Sequence, residues 1–161
     1  MKKQKINLKK LVKLKIVQIV EPSEEMKNSY LQKSADTLRA SKILLKSGLY
    51  ADSISLSYFS IYNSVMALFF LVGIKSENHN ASIFLLGDIF GIENEKIIEA
   101  KFQRKDKQYY PNFEVSESEV NEAIRSTEDF NAQILDFINT MNSKDKNNYL
   151  KKAENLLLNK K

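Results

Sequence analysis

The stretch Tyr50–Ile74, YADSISLSYFSIYNSVMALFFLVGI, constrains this chain most, because no charged side chain interrupts it between Asp52 and Lys75. Ile54, Phe59, Tyr62, Met66 and Phe69 recur at helical spacing, while Ser53, Ser55, Ser57 and Ser60 fill much of the other side. From Val65 to Val72 the apolar residues run all the way round the predicted helix. Such a helix must be covered on every side, by its own chain, by a second copy or by lipid. Five serines and Asn63 within the segment, and aromatic residues spread along it instead of gathered in belts at its ends, argue against lipid. The sequence therefore predicts a soluble core helix, half covered by a second copy, and no membrane span.

At 161 residues the chain forms one domain able to bury a core without staples. It has no cysteine, which excludes disulfides and thiolate metal sites and fits a reducing, cytoplasmic setting. A single histidine, His79, excludes a His-rich metal centre within one subunit. Neither a metal nor a cofactor is expected. Four glycines and two prolines disfavour an all-β chain with many tight turns. Charge is uneven: residues 1–20 carry seven lysines and no acid, and residues 142–161 carry six lysines against Asp145 and Glu154. With a net charge of +5, the ends hold +11 and the body −6. Basic ends of this kind bind phosphate backbones non-specifically, or reflect a composition bias alone.

Taken in order, residues 1–20 predict a basic extension, with a short amphipathic helix presenting Leu8, Leu11 and Val12 and then an extended piece from Ile16 to Val20. Ser23 is a helix N-cap followed by Glu24 and Glu25, and Gly48 closes that helix. Tyr30, Leu31, Ala35, Leu38 and Leu45 are its expected buried side. The short Gly48–Tyr50 link makes this helix and the central one an antiparallel pair. Gly73–Asn80 reads as a polar connection and Ala81–Phe90 as a helix ended by Gly91. Another helix is predicted from Asn94 to Lys107, with Ile97, Ile98 and Phe102 inward, and Pro111 breaks the chain after it. Ser116 and Glu119 have capping-box spacing ahead of the clearest amphipathic run, from Val120 through Ile124, Thr127, Phe130, Ile134 and Ile138 to Met141. Residues 142–161 form a basic tail with a marginal helix. The fold class is all-α, an up-and-down antiparallel bundle of four to five main helices over residues 21–141, dimeric.

Three stretches in the same order resemble the HEPN family, the all-helical higher eukaryotes and prokaryotes nucleotide-binding domain. They are EPSEEMKNSYLQKSADTLRASKILLKSGLYADSISLSYFSIYNSVMALFFLVGI, then SENH at 76–79, then QRKDKQYY at 103–110. The resemblance implies a homodimeric helical module partnered by a minimal nucleotidyltransferase, its antitoxin, in a toxin–antitoxin pair. It further implies a dimer cleft in which an Arg, followed four to six residues later by a His, cleaves RNA without metal. That chemistry asks for a base to take the 2′-hydroxyl proton and a cation for the phosphorane oxygens. Arg104 matches the arginine, but the window for the histidine holds Tyr109, Tyr110 and Pro111. An ordinary tyrosine titrates near pH 10 and is a poor base.

The candidate residues follow from both lines. Arg104 with Lys101, Lys105 and Lys107 makes a basic patch for nucleotide or RNA phosphate, with an ion pair to Asp106 or another acid as the alternative. Tyr109 and Tyr110 stack on a base or cap the core, and Tyr62 and Asn63, counted with the binding residues, carry polar tips that bond across the dimer seam or to Arg104, or are satisfied within the core. Arg104 and Tyr109 are the catalytic candidates if the protein is a metal-independent ribonuclease toxin. Tyr58, Val65, Phe69 and Phe70 are the candidate dimer interface. His79, 25 positions before Arg104, reaches the cleft only through the fold or across a dimer, and is otherwise a loop or cap residue. The leading expectation is a binding module; a ribonuclease and a ligand-free scaffold are the alternatives.

Overall fold

The structure, a computed structural model, describes residues 6–109 and 114–158, and within 105–109 the backbone alone. Among these residues the chain is a helical bundle with one two-stranded sheet, in the order α1 (Leu8–Lys13), β1 (Val17–Ile19), α2 (Glu24–Lys46), α3 (Tyr50–Val72), β2 (Ile74–Ser76), α4 (His79–Phe90), α5 (Glu95–Tyr109), α6 (Glu117–Thr140) and α7 (Ser143–Leu158). The all-α class expected from periodicity is thus what the chain adopts.

Local chemistry sets the helix ends. The Ser23 hydroxyl accepts from Met26 N–H at 3.1 Å to start α2, and Ser116 with Glu119 forms a complete capping box at the start of α6. Gly73, at φ 94°, ends α3 in the left-handed conformation. A Cβ at Gly73 would stand 2.6 Å from the Val20 carbonyl oxygen, so the site also needs the missing side chain to let β1 approach.

The central helix α3 is long and apolar enough to cross a membrane, but it is the core of the bundle. Tyr58, Val65, Ala67, Leu68, Phe69 and Val72 are fully buried by the chain itself, chiefly by α2, α5 and α6. Here the structure corrects an expectation: the cover assigned to a second copy is supplied in cis. Of the four proposed interface residues, Tyr58, Val65 and Phe69 have no exposed surface, and Phe70 is partly exposed while stacking on Tyr30 with ring centroids 5.3 Å apart. The apolarity of α3 therefore carries no argument for a dimer.

α2 meets α3 through serines. Ser41 Oγ donates to the Ser53 carbonyl and Ser53 Oγ to the Ser41 carbonyl, each at 2.8 Å, and Ser34 and Ser60 repeat the exchange at the same distances. Small side chains let the two backbones approach, and the reciprocal bonds satisfy all four of these hydroxyls. Of the expected apolar side of α2, Tyr30, Leu31, Leu38 and Leu45 are only half-buried and Ala35 is exposed, whereas Ser34 and Ser41 are its buried residues.

Gly73–Asn80 holds a strand, not only a polar connection. β2 pairs antiparallel with β1 in the register Val17↔Ser76, Gln18↔Lys75 and Ile19↔Ile74. Val17 joins the main core with Ala153 and Leu157 of α7, so both basic ends pack on the body. Among the described side chains of α5 only Ile97 is buried; Ile98 and Phe102 are 37% and 43% exposed, about a quarter-turn off the stripe that faces α3.

Candidate functional site

The β1–β2 pairing delivers His79 to its place. Immediately after β2, the Asn78 side chain accepts from Ala81 N–H at 2.9 Å and starts α4, making His79 the first residue of that helix. The imidazole lies flat on Tyr62 of α3, with centroids 4.0 Å apart and planes 12° from parallel. Its Nδ1 is hydrogen-bonded to the hydroxyl of Tyr58, and the Tyr62 hydroxyl donates to the Ser76 carbonyl at 3.1 Å. Phe59 presents its edge to the same ring.

Arg104 of α5 completes the cluster. Its guanidinium carbon sits 4.5 Å from the centroid of Phe59 and 5.5 Å from that of Tyr58. Its Nε is buried and has no hydrogen-bond partner, and among the described residues no carboxylate pairs with the side chain. Cation–π attraction of roughly 1–2 kcal/mol holds a partly desolvated guanidinium against the rings but leaves its donors unused. Beside it Lys101 bonds the Asn80 side chain, tying α5 to the first turn of α4.

The cluster sets its own protonation states. Burial pushes the Tyr58 phenol well above the ordinary tyrosine range, with the neighbouring Tyr62 adding to the effect, so Tyr58 keeps its proton. Burial first, and then the charges of Arg104 and Lys101, hold His79 below its ordinary value, so the ring is neutral at pH 7. A fully buried phenol needs an acceptor for its hydrogen, and Nδ1 is the one it meets. That assigns the remaining imidazole proton to Nε2, which makes His79 a neutral donor in the same cluster as the Arg104 cation.

Of the residues singled out from sequence, the fold brings Arg104, Tyr58 and Tyr62 together and adds His79. Asn63 is not among them: its amide points to α2, with Nδ2 3.5 Å from Thr37 Oγ1. Tyr110 lies outside the described residues, as do the side chains of Lys105, Lys107 and Tyr109 and that of Asp106, the alternative ion-pair partner of Arg104. His79 carried only a weak signal, a lone histidine following Ser-Glu-Asn, because 25 residues of chain separate it from Arg104.

The family model of the HEPN domain matches residues 28–136, which span α2 through most of α6 and include every member of this cluster. The chain belongs to the HEPN family. The HEPN fold accounts for the bundle and makes this a nucleotide- or RNA-related module in general terms. No curated protein matches the chain. Within this HEPN domain Arg104, the residue that the sequence resemblance singles out, lies on α5. The histidine beside it comes from the start of α4 instead of from the residues following Arg104.

Proposed function

We propose that this HEPN protein binds nucleotide or RNA phosphate at the Arg104–His79 site, as the toxin-like member of a homodimer paired with a minimal nucleotidyltransferase. The carrying observation is the Arg104 guanidinium resting on Phe59 and Tyr58, its buried Nε without a hydrogen-bond partner and, among the described residues, with no carboxylate paired to it. A bound phosphate would give its forked donors charge-assisted hydrogen bonds, and the Nε2–H of His79 adds a neutral donor. Exposed parts of the Tyr62–His79 stack offer a π surface to a base. The nucleotidyltransferase partner and the two-copy state rest on the family resemblance.

A second reading, metal-independent RNA cleavage, gains from the histidine that the fold brings to Arg104. In it His79 replaces Tyr109 as the candidate base. Its Nε2 accepts a proton only if Nδ1 carries one and donates it to Tyr58, the opposite of the arrangement that burial of the phenol favours. The tautomer thus supports binding over cleavage.

Titrating the protein with AMP and with a short single-stranded RNA tests both readings. Specific binding stabilises the fold by about 2.7 kcal/mol at a hundredfold excess over Kd, a shift of several degrees in Tm. Arg104→Ala is expected to abolish the shift, read against the apo Tm of that variant. No shift with either ligand would end the binding proposal. Cleavage of the RNA in EDTA that is lost in His79→Gln would move the assignment to the nuclease.

A further inference from the structure

The two lysine-rich ends of the sequence are not separate appendages, because α1 packs directly on α7. Lys9, Lys10, Lys13 and Lys15 are all exposed, and no acid occurs between residues 6 and 20. None of the four makes an ion pair among the described residues. α7 adds exposed Lys144 and Lys151 from the far end of the chain. Of the acids on neighbouring segments, Glu77 pairs with Lys75 at 2.7 Å, Glu24 with Lys27 and Lys146, Asp145 accepts from the Asn142 N–H and Glu154 is likewise occupied, while Glu21, at the end of the segment, is exposed.

Lys15 adds a backbone observation. Its φ of 57° is the one positive value at a non-glycine position among the described residues, and the Gln18 side chain donates to its carbonyl at 2.8 Å. Glycine or asparagine would fit that conformation with less strain, yet a lysine occupies it at the corner between α1 and β1. One residue on, the Ile16 carbonyl accepts from Glu77 N–H at 2.8 Å, which bonds this corner to the turn leading into His79.

We infer that α1 and α7 form a composite docking surface for the phosphate backbone of a single-stranded nucleic acid, running by way of Lys15 toward the His79 turn. The inference goes beyond the Arg104 reading, because its lysines lie outside that site and are tested separately. A membrane surface fits less well. Leu8, Leu11 and Val12, the apolar side that a basic helix would insert into lipid, already pack on the core, leaving Leu14 as the exposed apolar side chain of the segment. Lysines held on a packed scaffold suit a polyanion that needs charge without insertion.

The test uses the full chain and a fluorescent oligouridylate of about twenty nucleotides, titrated across salt by anisotropy. Lys9→Gln, Lys10→Gln, Lys13→Gln and Lys15→Gln combined are expected to weaken binding at least tenfold at about 50 mM salt. The slope of log K against log salt should become shallower by about three, since each lost phosphate contact on a single strand removes roughly 0.7. Lys144→Gln with Lys151→Gln should lower the slope further, and unchanged circular dichroism confirms that the variants fold. AMP binding should be the same in the quadruple variant and the parent, whereas Arg104→Ala should lose AMP yet keep most of the salt slope. An unchanged slope in the quadruple variant overturns the inference. So does sedimentation of the parent with phosphatidylserine vesicles when no oligouridylate binding is detectable.

Discussion

The His79 imidazole lies parallel to the Tyr62 ring at 4.0 Å, while its Nδ1 is held by the hydroxyl of Tyr58, one helical turn earlier on α3. Two adjacent rows of α3 thus fix both the plane of the histidine and its tautomer. With its position set in this way, the ring carries its proton on Nε2, a donor instead of a base.

That environment gives stability a pH dependence of definite sign. Burial and the nearby cations place the folded-state pKa of His79 below its unfolded value of about 6.5. As pH falls through that value the unfolded chain takes up the proton first, so stability present above about pH 6.5 is lost until the folded pKa is passed. Melting temperatures from about pH 8 to pH 5 should fall more steeply for the wild type than for His79→Gln. Parallel curves would show that the histidine is not held as described.

Gly73 and Gly48 both have positive φ, 94° and 73°, but differ in their surroundings. A Cβ on Gly48 meets nothing within 4 Å, whereas one on Gly73 meets the Val20 carbonyl oxygen at 2.6 Å and Pro22 at 3.2 Å. Gly48→Ala should cost about 1 kcal/mol, the conformational penalty alone. Gly73→Ala should cost roughly 3 kcal/mol or more, because it also pushes β1 off β2. Urea titration of the two variants separates them, and equal midpoints would contradict the close approach of the strand.

The serine seam predicts an inverted response to hydrophobic substitution. Ser41 is fully buried, and its Oγ lies 2.8 Å from the Ser53 carbonyl and from Ser57 Oγ. Ser41→Val adds bulk where two backbones are closest and strips Ser57 of its partner, at a cost of about 2–4 kcal/mol by equilibrium unfolding. Ser41→Ala should cost less, about 1–2 kcal/mol, since it keeps the spacing. A valine variant as stable as the wild type would mean that the helices are not in this contact.

Periodicity and capping chemistry are local properties, so the sequence by itself determined most of the helices: Ser23 and Ser116 as starts, Gly48 and Gly91 as ends, and the amphipathic stripe of α6. It also picked out Arg104 and Tyr62. What covers α3 is decided by tertiary packing, because an apolar helix signals only that cover is needed and not whose side chains provide it. The tertiary structure likewise decided that serines seat α2, that Ile16 reaches Glu77 through a strand pair, and that His79 stands beside Arg104. These are contacts between residues far apart in the chain, and a hydrogen bond or a ring stack at such separation leaves no spacing in the sequence from which to read it.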